Sequence, residues 1–186
     1  MTERVSVSFY RGAENEPFIN RLTQRLTGDF VHCELVFNNP ETGSHNLSCG
    51  VWQNEEVFFR PKTFGRTTWT FRSVNLPQEK VRAMKAFCRG EAANKKPFNK
   101  WGLVRCISPF PKPSDGSSWF CSELAISAFQ KAGVLTDVIP SMTTPSDLYI
   151  MLGQMNELDA YQDASPLAAQ RIEANGLRFE RLGFGV

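Results

Sequence analysis

Cys121 opens the helical part of SSWFCSELAISAFQKAG, residues 117–133, and a thiol in that place can act as a nucleophile. Leu124, Ala125, Ala128, Phe129 and Ala132 recur at the three-and-four spacing of a helix turned to a core. The same stripe, extended one step toward the N-terminus, lands on Cys121. Ser117 and Ser118 precede the helix and can cap it, which sets the sulfur among first-turn N–H groups that have no acceptor within the helix. A thiol there ionises more readily, and the same N–H groups can stabilise an oxyanion. Burial alone is the competing reading, because free cysteine is among the most buried residue types. A catalytic thiolate also needs an imidazole within hydrogen-bond reach to take and return a proton. Of the two histidines, His32 lies inside the β-rich DFVHCELVF, whereas His45 sits beside a turn and is expected at the surface.

These side chains need elements to position them, and hydrophobic periodicity supplies a coarse reading. RVSVSFYRG, DFVHCELVF, HNLSCGVW, EEVFFRP and TTWTFRSVNL read as strands, the second and third joined by the turn NNPETGS. In the last, Thr68, Thr70 and Arg72 alternate with Trp69 and Phe71, as in a sheet with one wet face. NEPFINRLTQRLTG reads as a short helix ending at Gly28. PQEKVRAMKAFCRGEAA reads as a helix with Val81, Met84 and Phe87 or Cys88 turned inward. The proline- and glycine-rich residues 94–118 are expected to wrap the surface or form a lid. TPSDLYIMLGQ reads as a helix capped by Thr144 or Ser146, with Asp147 as a first-turn acid. LRFERLGF alternates like a last strand. With no internal repeat or linker, residues 1–186 read as one α+β domain, with a core over 1–152 and an extension over 153–186.

Bulk properties narrow the function classes. At 41% hydrophobic and 22% charged residues, the composition is that of a globular protein. No run of eighteen apolar residues is present, so no transmembrane segment is expected. MTERVSVSFYRG lacks the apolar stretch of a signal peptide, and five cysteines without a C-x-x-C pair form neither a disulfide framework nor a zinc ribbon. A cytosol-like reducing compartment and the absence of metal or cofactor are the resulting expectations. Between Lys80 and Lys112 nine Lys or Arg stand against one acid, Glu91, so this stretch is either a solvated face or a contact for an anionic surface. Aromatic residues interleave it, but no nucleic-acid motif accompanies it, and no nucleic-acid partner is expected.

DFVHCELVF, then a strand-rich stretch, then WFCSELAISAFQKAG and TPSDLY, resembles the permuted papain-like amidases over about residues 1–152. This is the circularly permuted branch of the NlpC-type cysteine hydrolases, related to lecithin–retinol acyltransferase, in which the histidine strand precedes the nucleophile helix. The resemblance implies a small antiparallel sheet packed on the helix that begins with Cys121, with His32 on an adjacent strand as the base. It further implies a polar residue on the next strand, usually a carboxylate, that fixes the imidazole tautomer. That strand has no carboxylate here. Ser48 and Asn46 lie across the hairpin from His32, and Glu34, two residues after His32, shares its face. The third member therefore stays open among Ser48, Glu34, Asn46 and water.

Cys33 is expected to face away from His32 into the core, and Glu123 to complement the helix dipole or hold the adjacent loop. Trp101, Trp119 and Phe120 fit either a cleft lining or core packing. The expected activity is a cysteine-dependent hydrolase or acyltransferase acting on an amide or ester in a peptide, peptidoglycan or lipid, through an acyl-thioester. A catalytically inactive binding or structural module is the alternative, and a redox-sensing thiol, resolved by Cys33 or Cys49 in space, is a third.

Overall fold

In the computed structural model the described residues are 1–12, 28–65, 67–99, 101–102 and 115–162. The β-rich segments become five strands: β1 Thr2–Tyr10, β2 His32–Asn39, β3 Ser44–Gly50, β4 Phe58–Pro61 and β5 Trp69–Pro77. They form one antiparallel sheet in the order β4-β3-β2-β1-β5. Three helices are present among the described residues: α1 Gln78–Ala93, α2 Cys121–Lys131 and α3 Pro145–Gln162, with a 3-10 turn at Pro140–Met142. The α+β class and the antiparallel sheet beside the Cys121 helix are as the sequence leads one to expect. The helix expected at residues 15–27, most of the proline-rich stretch (with Cys106) and the last strand lie outside the described residues.

Alternation with a period of two decides which sheet face is buried. Val5, Val7 and Phe9 on β1, Cys33, Leu35 and Phe37 on β2, Cys49 on β3 and Val74 and Leu76 on β5 all enter one core. Val81, Met84 and Cys88 of α1 and Leu148 and Leu152 of α3 complete it, each fully buried. Each such side chain contributes on the order of 1.5–3 kcal/mol by leaving water. Of the two alternatives for the third inward position of α1, Cys88 is buried and Phe87 packs at the margin.

Two expectations are corrected. The α2 segment is not a one-sided amphipathic helix: every residue from Cys121 to Phe129 is buried. Strand β2, helix α1, the 3-10 turn and α3 contact it from several sides, so its polar residues Ser122, Glu123 and Ser127 also lie inside. On β5 the faces are exchanged. Thr70 and Arg72 share the parity of Val74 and Leu76 and pair with Phe9 and Val7, so they turn toward the helix layer. Arg72 ends with its guanidinium 4.3 Å from the Tyr149 ring centroid, a cation–π contact with α3. Trp69 and Phe71 instead lie on the other face, opposite Tyr10 and Ser8, and Phe71 is 42% exposed. The hydrogen bond between Ser6 Oγ and Ser73 Oγ at 2.9 Å marks the same polar face.

Candidate active site

The local chemistry of Cys-Ser-Glu-Leu explains where α2 starts. Phe120 is its N-cap, with extended backbone and no side-chain cap, and Cys121 is the first helical residue. The expected capping by Ser117 or Ser118 does not occur, since Ser117 donates both its N–H and its hydroxyl to Asp115 Oδ1 at 2.9 and 2.6 Å. Glu123 does the work instead: its Oε2 accepts the Phe120 N–H at 3.1 Å, half of a capping box. Asn99 Nδ2 reaches the same oxygen at 3.5 Å. Ser122 donates to the Thr143 carbonyl at 2.6 Å and so ties α2 to the turn before α3.

TPSD, the other segment noted in the sequence, is a set of connections. Thr144 and Asp147 cap α3 reciprocally: Asp147 Oδ2 accepts from Thr144 N and Oγ1, and Asp147 N donates to Thr144 Oγ1. Ser146, the other candidate cap, accepts the Phe30 N–H at 3.1 Å, just before the His32 strand. The Cys121 helix and the His32 strand are thus both fastened to one turn, and their first residues are brought together.

His32 and Cys121 are in hydrogen-bonding contact. The ring's Nε2 lies 3.1 Å from Glu34 Oε1. Burial pulls the imidazolium down, but its hydrogen bonds to Cys121 and Glu34 and their negative charges prevail, so the His32 pKa is raised to about 9. Burial likewise opposes the thiolate. The Cys33 side chain, the His32 ring, the imidazolium charge and the Cys33 N–H outweigh it and hold Cys121 well below the ordinary thiol range. Both shifts favour a thiolate–imidazolium pair. Cys49 shows the contrast: burial, then its contact with Cys88, pushes that thiol well up.

Glu34 holds the other side of the ring. Its carboxylate accepts from His32 Nε2, from Ser48 Oγ at 2.7 Å on Oε2, and from Lys62 Nζ at 2.5 Å on Oε1. Burial alone raises a carboxyl pKa, but the His32 and Lys62 interactions lower this one to about 2. Ser48, directly across the sheet from Val36, touches the carboxylate rather than the ring. Asn46 falls in the irregularity where β2 and β3 shift register, and its Oδ1 accepts from Thr42 at 3.4 Å, away from the ring. Gly50 makes room for Glu34: a Cβ there stands 2.7 Å from Glu34 Cγ.

Two neighbours, Trp52 and Lys62, went unread in the sequence. Trp52 stacks on His32 with ring centroids 3.8 Å apart and planes 29° from parallel. Lys62 was legible by parity, since Arg60 pairs with Ser48 and the residue two further on shares its face. Cys33 is buried in the core as expected, yet it also donates to the Cys121 sulfur. His45 is exposed, as expected, and its pKa is lowered by partial burial and by Arg4. Trp119 is mainly a packing residue, buried, with its indole N–H donated to Glu91 at 2.6 Å. Phe120 is buried, its ring 6.0 Å from that of Phe98, and Trp101 is exposed. In the basic stretch, Lys85 pairs with Glu3 at 2.6 Å.

No group of His, Cys, Asp and Glu fit to hold a metal occurs among the described residues. Nor does any described helix have the length and apolarity to cross a membrane. A cavity of about 1000 Å³ lined by Phe87, Glu91, Trp119, Gln130 and Ile139 includes neither Cys121 nor His32, so the convergence of polar groups and not this hollow locates the chemistry. No family model, curated protein or solved structure matches the chain.

Proposed function

We propose that this protein is a cysteine-dependent hydrolase or acyltransferase with the permuted papain-like arrangement, acting on an amide or ester carbonyl. The observation that carries this reading is the contact between His32 and Cys121, with the imidazole made more basic and the thiol more acidic. The thiolate attacks the carbonyl carbon, and the oxyanion that forms is stabilised by first-turn N–H groups of α2. The His32 imidazolium gives its proton to the departing amine or alkoxide, the carbon–heteroatom bond breaks, and a Cys121 thioester remains. Neutral His32 then takes a proton from water or another acceptor, which attacks the thioester; the sulfur leaves as thiolate, and the ion pair is restored. Glu34 keeps Nε2–H in place throughout, supported by Ser48. A peptide, peptidoglycan or lipid acyl donor is compatible with this chemistry.

Replacing Cys121 with Ala tests the reading: labelling by an electrophilic amide probe is expected to disappear while the circular dichroism of the fold stays unchanged. Undiminished labelling overturns it.

One observation favours a non-catalytic binding module instead. Cys121 is 2% exposed and His32 4%, so a substrate carbonyl meets the sulfur only after neighbouring side chains part. Alkylation of Cys121 by iodoacetamide as pH falls separates the readings. An active thiolate keeps reacting well below the free-thiol pKa of about 8.5, and a sealed structural thiol does not.

A further inference from the structure

The surroundings of Lys62 carry an inference that rests on the dyad reading and deepens it. The Lys62 ammonium lies 4.7 Å from the Trp69 ring centroid, 5.1 Å from Trp52, 5.2 Å from Phe64 and 5.7 Å from Phe58. Four aromatic faces within about 6 Å form a cage that attracts a cation and sheds water. The backbone at this residue is pinned too, through its N–H donated to the Asn46 carbonyl at 2.7 Å. Out of the cage the ammonium makes one directed ion pair, with Glu34 Oε1, and the Lys62 side chain is 23% exposed. Trp52 belongs to both assemblies, since the ring that bounds the ammonium also stacks on His32.

We propose that Lys62 is a positioning residue: its caged ammonium fixes the Glu34 carboxylate, and through it the orientation of the His32 ring that serves Cys121. Charge makes the case. Thiolate, imidazolium, carboxylate and ammonium alternate in sign along this chain of contacts and sum to zero. Deleting the ammonium leaves one net negative charge in a buried site, which favours a proton on Glu34 or on Cys121. Among the described residues the cations that lower the Glu34 pKa are His32 and Lys62, whereas Arg60, across from Ser48 on β4, is exposed and lies over the Phe58 ring at 4.8 Å. From β1 the residue opposite Glu34 is Ser8, from β3 it meets Ser48 and Gly50, and the nearby Cys49 thiol is held neutral by burial. The remaining charged partner is His32 itself.

The test is the pH profile of Cys121 alkylation by iodoacetamide in the wild type, Lys62→Met, Lys62→Arg, Glu34→Gln and the Lys62→Met/Glu34→Gln double variant. Methionine keeps an apolar stem in the cage, and melting temperature monitors folding. In Lys62→Met the acid limb is expected to move up, by part of the roughly 1–3 pH units that an adjacent opposite charge produces at Glu34 itself. Lys62→Arg is expected to move it back toward the wild type. In the Glu34→Gln background, Lys62→Met is expected to move it no further, because Lys62 acts through that carboxylate. Direct titration of the Glu34 carboxyl carbon by NMR is expected to show its midpoint raised in Lys62→Met. An acid-shifted wild-type profile that Lys62→Met leaves in place, or moves equally without Glu34, overturns the role of Lys62 alone. A wild-type profile of an ordinary thiol overturns the dyad reading beneath it.

Discussion

Glu34 shows how one side chain can be well placed by sequence and still be ambiguous in role. Its position two residues after His32 guarantees a shared face, but not whether ring, solvent or a cross-strand hydroxyl is its partner. The fold resolves this: Glu34 touches the ring, and Ser48 touches Glu34. The carboxylate that the resemblance leads one to seek on the next strand is thus supplied from the histidine's own strand. The pH consequences follow from the signs of the shifts. His32, raised from 6.5 to about 9, contributes stability that is full below about pH 6.5 and is lost as pH rises through 9. Glu34, lowered from 4.5 to about 2, contributes stability present above 4.5 and lost as pH falls through 2. In urea unfolding, Glu34→Gln is therefore expected to flatten the pH dependence between about 4.5 and 2. An unchanged slope contradicts the contact network around Glu34. Turnover of any substrate is expected to decline above about pH 9, where His32 has no proton left for the leaving group.

The order of elements was legible because β-rich runs separated by turn residues come first and the three described helix-forming runs follow them. Their mutual phase was harder. On β5 the conspicuous Trp69 and Phe71 draw the eye to the wrong face, while Val74 and Leu76, on the parity of Arg72, set the true one. Ser117 and Ser118 look like caps, but α2 begins after Phe120 and is closed by Glu123 from inside, a choice set by where Trp119 and Asn99 dock. The joints between elements were out of reach of any periodicity. Ser122 gives one, and Ser122→Ala is expected to cost about 1 kcal/mol in urea unfolding, because it removes the hydrogen bond that a buried hydroxyl gives the Thr143 carbonyl. A cost within about 0.5 kcal/mol of zero, the range of surface substitutions, contradicts that joint. Gly50 gives another: Gly50→Ala drives a Cβ into the Glu34 side chain and is expected to raise the pH at which Cys121 loses reactivity. A profile identical to the wild type contradicts the claim that β3 makes room for the carboxylate.

At the scale of the molecule, the sheet divides two kinds of interior. One face meets the helices over an apolar core that includes Val5 and Leu152, with Thr70 and Arg72 of β5 turned to the same side. The other carries Ser8, Glu34 and Ser48, with Trp52, Phe64 and Trp69 gathered around Lys62, so the buried Glu34 charge is neutralised by contact rather than solvated. Such a cluster is costly unless every partner is in place. Its most demanding pair is the one on which the proposed chemistry depends. Initial rates of Cys121 carbamidomethylation at pH 6, followed by intact and peptide mass in the wild type and in His32→Ala, test that pair directly. Reaction of the wild type as a thiolate, with a loss of roughly tenfold or more on removing the imidazole, is the expected result. Equal rates in the two proteins, both climbing only as pH nears about 8.5, would show that His32 does nothing to the sulfur.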